Sequence, residues 1–210
     1  MAEQQFIGVD PSALCSLLPT RLLMTGLFRD LLTKHFADPA SIEEDDLKHL
    51  IWGENVFDTE IMIETVYRWR PEATEFRPAI LIHGNTISRM QRGIGDRNLG
   101  NSVTLDGAEH FSTFYVGSHT LFCVAGSAAQ AELLAEEVQR EIVQFAPVIL
   151  EYFHHIKRIG ATQIGAVAQI EESDERFVAP VTIGYCYEQK WKVKMQAPRL
   201  NISLSLLTSC

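Results

Sequence analysis

The sequence predicts an α+β domain: a mostly antiparallel sheet with a long amphipathic helix packed on one face, plus N-terminal helices. Three observations carry this expectation. Several segments alternate apolar and polar residues with a period of two. One segment, from Ala131 to Ile149, repeats its apolar residues near a period of 3.6. The patterns follow the order helix, helix, strand, strand, loop, strand, helix, strand, strand, tail, which is not the regular strand–helix alternation of a parallel sheet.

A chain of 210 residues suits one sizeable domain with extensions. The organisation expected is an N-terminal helical extension over 1–60, a core domain over 61–197 and a strand-like tail over 198–210. The composition, 46% hydrophobic and 21% charged, is that of a globular protein, and the apolar runs are too short to cross a bilayer. The start, Met1-Ala2-Glu3-Gln4-Gln5, lacks the basic and apolar stretches of a secretory signal, so the chain is expected to stay in the cytoplasm where it is made. Cys15, Cys123, Cys186 and Cys210 show no CxxC spacing and read as free thiols. A net charge of −9 argues against phosphate-backbone binding as the main activity and is compatible with DNA sliding past without sticking.

Residues 12–36 read as helical, from Leu17, Leu18, Leu23, Leu27, Leu31 and Phe36, with Pro19 breaking the segment early. Ser41-Ile42-Glu43-Glu44 has the S-x-x-E form of a capping box and predicts a second, short helix through Leu47, Leu50 and Ile51. From Glu60, Ile61, Ile63, Thr65, Tyr67 and Trp69 alternate with Glu64, Arg68 and Arg70, predicting a half-buried strand ended by Pro71. Phe76 to His83 is expected to be its antiparallel partner. Gly84 to Phe111, rich in Gly, Asn, Asp and Ser, reads as one long loop.

Ser112 to Ala125 is apolar on both alternations, as in a central strand covered on both faces. In the following helix Ala131, Leu134, Val138, Ile142, Phe145 and Ile149 form the apolar stripe, with Glu132, Glu136, Glu137, Arg140 and Glu141 largely off it and a kink expected near Pro147. Ala161–Ile170 and Phe177–Val193 read as two strands joined by an exposed tip at 171–176, with Val181, Ile183, Tyr185 and Tyr187 facing the core. Leu200, Ile202, Leu204 and Leu206 alternate after Pro198, and so apolar a strand needs a partner sheet.

The chain lacks a phosphate loop, HExxH, an EF-hand loop and a GxSxG elbow. Gly93-Ile94-Gly95 lacks the third glycine and the flanking strand and helix of a dinucleotide site. Adjacent His154 and His155 have no third ligand at helical spacing and read as surface or helix-end residues. Ser118 and His119 would point to opposite faces of a strand, which is wrong for a nucleophile and its base. Glu136-Glu137 and Glu171-Glu172 read as a solvated helix face and a hairpin tip. No catalytic residue, cofactor or metal is therefore expected. Arg77, Arg89, Arg92 and Arg97 form a basic concentration in or beside the long loop, either a soluble loop with balanced charge or a contact for acidic protein or passing DNA. The interface candidates are Arg89, Arg92, Arg97, Leu200, Ile202, Leu204 and Leu206.

The order of patterns is carried by Arg77-Pro78-Ala79-Ile80, the glycine-rich loop, Phe114 to Cys123, the helix from Gln130 to Val138, and Phe177-Val178-Ala179-Pro180-Val181-Thr182-Ile183. Over the C-terminal two-thirds of the chain this resembles the tail terminator, or neck, proteins of long-tailed bacteriophages. The resemblance implies a structural, non-enzymatic virion protein whose sheet-and-helix subunits form a hexameric ring. Such a ring caps the tail tube, meets the stopper or connector of the neck and in some cases sheath or collar proteins, and lets genomic DNA pass without sequence-specific binding. Alternatives are another neck connector (stopper, adaptor or collar protein), or a small ligand-binding domain or enzyme. The resemblance places the chain in the virion, and in the host cytoplasm during assembly.

Overall fold

A computed structural model describes residues 20–55, 59–68, 77–90, 100–103, 108–170 and 176–194. It is a mixed α/β structure with a mostly antiparallel eight-stranded sheet and, among the described residues, two α-helices. The main path of the sheet is β1 (Met62–Thr65), β2 (Ala79–Gly84), β5 (Ala108–Ala125), β8 (Phe177–Lys194) and β6 (Ile156–Ile164). The short strands β3 (Ser88–Arg89) and β4 (Gly100–Val103) pair with β5, and β7 (Ala168–Gln169) pairs with β8. The helices are α1 (Thr20–Ala37) and α2 (Ala128–Tyr152).

The centre of the sheet is the β5/β8 ladder, antiparallel from Ala108↔Lys194 to Ala125↔Phe177. Val181, Ile183, Tyr185 and Tyr187 are all buried, as their alternation predicts. Gly117 stands opposite Tyr185, and a side chain there would collide with the tyrosine ring, so only glycine lets the ring lie across the strand. Pro180 can make no N–H bond. Its carbonyl accepts from Gly165 in the interval between β6 and β7, so the lost donor falls where that edge is already interrupted.

One core cluster joins Met24, Phe28, Leu32 and Phe36 of α1 with Leu134, Val138 and Ile142 of α2 and with Ile63, Ile80, Leu121 and Val181 from the strands. Ser127 caps α2 by accepting from the backbone N–H of Gln130, and the helix is continuous through Pro147. A smaller cluster of Ala79, Leu81 and Val124 is packed by Met62, Val66, Phe122, Ile170 and Val178.

Several expectations need correction. The second helix is absent: Pro39–Ser41 and Asp45–Leu47 are separate 3-10 turns, and the first is capped by Asp38. Ile42, Leu47 and Leu50 are buried at spacings that form no helical stripe. The strand after Glu60 ends at Thr65 in a 3-10 turn, which leaves Tyr67 exposed. Its pairing with β2 is parallel, because the link over 66–78 is long enough for a crossover and too long for a hairpin.

The stretch from Gly84 to Phe111 is not one loop, since it contributes β3, β4 and the start of β5. In α2, Phe145 is 39% exposed, whereas Glu137 and Glu141, expected off the apolar stripe, are buried. The start of the 12–36 helix, Trp69, Arg70, Pro71, most of the 171–176 tip and the tail over 198–210 lie outside the described residues.

Candidate assembly surface

Along β8 the buried alternation runs through Val181, Ile183, Tyr185 and Tyr187. Tyr115 and Tyr187 stack across the strands with ring centroids 5.4 Å apart, and Tyr187 belongs to the core cluster. Beyond it Gln189 is half-buried and Lys190 exposed, while the hydrogen-bonded register continues to Ala108↔Lys194. The two strands carry on from Tyr187 as a paired arm, roughly 20 Å long at the usual rise per residue, in which Thr113, opposite Gln189, is buried.

The arm's edges differ. On the β5 side it is lined by β4, from Gly100↔Ser112 to Val103↔Glu109, and by β3 at Tyr115 and Val116. On the β8 side β6 stops at Ile156↔Tyr187, and one further bond, from Glu188 N–H to His155 C=O, closes the ladder. From Gln189 to Lys194 no described strand covers that edge.

The arm gathers positive charge. Lys190, Lys192 and Lys194 take alternate register positions on β8, opposite Ser112, His110 and Ala108. Lys157 and Lys190 each lie 3.5 Å from Glu188, which offsets one of these charges, and Arg158 is exposed beside them. Arg89 is exposed in β3 on the opposite edge. Arg92 and Arg97 lie outside the described residues, but the segment carrying them leaves from Met90, bonded to Phe114 C=O, and returns at Gly100 opposite Ser112. Leu200, Ile202, Leu204 and Leu206 also lie outside the described residues.

Arg77 is not part of this concentration, because its guanidinium donates to Thr59 C=O at 2.9 Å. The lysines were the signal missed in the sequence: no Asp or Glu occurs after Glu188.

Two further polar centres lie inside the molecule. His35, near the end of α1, places Nε2 2.9 Å from Glu137 and Nδ1 3.0 Å from Glu141. Ionised carboxylates only accept, so both ring nitrogens carry hydrogen and the ring is an imidazolium. Burial alone would lower its pKa, but the hydrogen bond and charge of Glu141, then those of Glu137, outweigh it and hold the value above the ordinary one. Glu137 also accepts from the Glu43 backbone N–H and from Arg140 at 2.7 Å, and Arg140 reaches Glu43 and Glu44. The cluster ties α1 and the segment after it to α2.

His119 is fully buried beside Phe28 and Tyr185. Thr25 donates its hydroxyl to Arg21 C=O, so the 2.8 Å contact with His119 Nε2 is a bond donated by the ring, and Nδ1 is left as the bare nitrogen. Burial, reinforced by the charge of Arg21, pushes the His119 pKa down to about 4. Tyr185 is pushed up to about 12, chiefly by burial. Ser118 bonds to Asn85 instead, in keeping with the opposite faces expected for Ser118 and His119. His155, expected at a surface or helix end, is buried just after α2, while His154 is exposed. Cys123 is a buried free thiol, and Cys186 is half-buried.

Among the described residues no group of three His, Cys, Asp or Glu is placed to hold a metal ion, and no helix is long and apolar enough to cross a membrane. No known family model matches the chain, and no curated protein sequence matches it.

Proposed function

We propose that this chain is a structural subunit of the phage neck, a tail terminator that forms a ring, hexameric in this reading, capping the tail tube and joining it to the head connector. The observation that carries the reading is the β5/β8 ladder: two strands paired without interruption from Ala108↔Lys194 to Ala125↔Phe177 offer a long rigid element for contact with a neighbour. In this reading α2 lies along one face of the sheet, its buried Leu134, Val138 and Ile142 turned to the strands and its other side toward adjoining subunits.

The work is mechanical: the ring ends tube growth and presents a surface to the stopper or connector and to any sheath or collar protein. Genomic DNA passes through it without sequence-specific contact, as an acidic chain allows. The tail over 198–210 adds a strand to a neighbouring subunit's sheet, which would shield its apolar alternation. The protein then resides in the virion, after assembly in the host cytoplasm.

The test is negative-stain microscopy of the purified protein mixed with tail tubes polymerised from the tube protein encoded near it. Density at one end of each tube and arrested elongation are expected. Tubes that elongate unchanged, with the protein bound to the isolated connector instead, would reassign it to another neck layer. Binding to neither would remove it from the neck.

A further inference from the structure

One stretch of β8 backbone has no described partner on its outer side. Glu188 donates its N–H to His155 C=O and Pro180 C=O accepts from Gly165, so the even-numbered residues of β8 direct their backbone groups toward β6. The β5/β8 register runs without a shift to Ala108↔Lys194, which carries that phase through the N–H and C=O groups of Lys190, Lys192 and Lys194. The pairing of β6 has ended by then, at Ile156↔Tyr187, so among the described residues no strand meets these groups. Such a row of backbone groups is a template for an added strand.

The other edges suit an added strand less. β6 has register shifts between Ile156 and Arg158 and between Ala161 and Gln163, β1 and β4 are four residues long, and β3 is two.

The pattern of the tail fits the β8 edge. Gln189, Trp191 and Val193 hold positions in phase with the buried Val181, Ile183, Tyr185 and Tyr187, and Lys190, Lys192 and Lys194 hold the opposite phase. In the tail, Leu200, Ile202, Leu204 and Leu206 alternate with Asn201, Ser203 and Ser205. Paired with this edge, the apolar set continues the row of Trp191 and Val193, while the small polar set falls beside the lysine positions. Lysine on an edge discourages strands that would set apolar residues against it, so the edge is selective.

We propose that residues 200–206 of one copy add as a strand to the 189–194 edge of β8 in the next copy. That the donor is a second copy rests on the ring reading above and on the link Met195-Gln196-Ala197-Pro198. Proline fixes its own φ and biases the residue before it to extended backbone, which favours straight continuation over reversal onto the same strand. Donation passed from copy to copy closes a ring; exchanged between two copies, it closes a dimer.

Sedimentation velocity and amide hydrogen exchange on the full chain test it. The unmodified protein self-associates. Ile202→Asp/Leu204→Asp disables the donor, and Lys192→Pro disables the edge while sparing the β5 pairing, because the N–H it removes points away from that strand. Each variant alone is monomeric. Mixed in equal amounts they associate, the intact tail of one entering the intact edge of the other. In an isotope-labelled Ile202→Asp/Leu204→Asp chain the amides of Lys190, Lys192 and Lys194 then exchange at least about tenfold more slowly than before mixing. Those of Gln189, Trp191 and Val193, directed at β5, change little. Circular dichroism melts check folding; should Lys192→Pro not fold, unlabelled unmodified protein serves as the donor.

Edge amides that stay unprotected in the mixture overturn the contact and leave the ring reading standing. Protection already present in the unmodified chain at monomeric dilution, and not restored to the tail variant by mixing, overturns donation between copies and assigns the tail to its own β8. A dimer with mixed-copy protection that caps no tubes upholds the edge and removes the ring.

Discussion

The two halves of the β5/β8 ladder are one continuous pairing, yet they carry different residues. From Tyr115 to Ala125, opposite Phe177 to Tyr187, alternate side chains are buried in the core. From Ala108 to Phe114, opposite Glu188 to Lys194, the backbone pairing continues, with Lys190, Lys192 and Lys194 in phase with Thr182, Gly184, Cys186 and Glu188, and with Gln189, Trp191 and Val193 in phase with the buried residues. Backbone pairing therefore sets the length of the strands, while side-chain burial sets where the stability resides.

The largest effect should come from Val138→Asp, which puts an unpaired charge at a fully buried position of α2. Soluble expression should be lost; a native-like melting profile would mean that the buried face of α2 is misassigned.

Glu137→Leu comes next. It leaves His35 and Arg140 without their shared carboxylate and should destabilise by about 3–5 kcal/mol, read by urea unfolding. A loss under about 1 kcal/mol would show that the buried pair is dispensable.

The two buried histidines should make stability depend on pH in opposite senses. The folded pKa of His35 is raised, so its contribution is complete below 6.5 and is lost as pH rises through the folded value. That of His119 is lowered from 6.5 to about 4, so the unfolded chain binds more protons between those values and acidification destabilises, by about 3 kcal/mol at most. Urea midpoints across pH should show a weaker acid slope in His119→Phe and a weaker alkaline slope in His35→Gln. Unaltered slopes would detach both limbs from these residues. His155, buried with both ring nitrogens unpartnered and its pKa also lowered by burial, adds to the acid limb in either variant.

The smallest effect belongs to the arm. Lys190→Ala should shift stability by no more than about 0.5 kcal/mol, and the amides from Gln189 to Lys194 should exchange faster than those from Val181 to Tyr187. Equal protection in the two halves would erase the distinction between them.

Local pattern was enough for α2 and for the strands around Leu121 and Val181, because burial on one side imposes a period that the residues must obey. It was also enough for the Gly84–Phe111 segment to stand out, though not for the strands inside it. β3 and β4 have little apolar alternation and form because β5 extends far enough to receive them. Of the interface candidates, Arg89 is on the surface described, while the alternating lysines of β8 escaped notice because they follow a strand pattern that reads as core.

The sequence by itself determined the helix carrying Leu134, Val138 and Ile142 and the buried alternation of Val181 to Tyr187, since each depends on neighbours a few residues away. Only the tertiary structure decided that β1 and β2 run parallel, that Glu137 and Glu141 turn inward to meet His35, and that β3 and β4 pair with β5. Each of these joins residues far apart in the chain. A carboxylate is buried only where its counter-charge arrives, and that position belongs to the fold rather than to any local period.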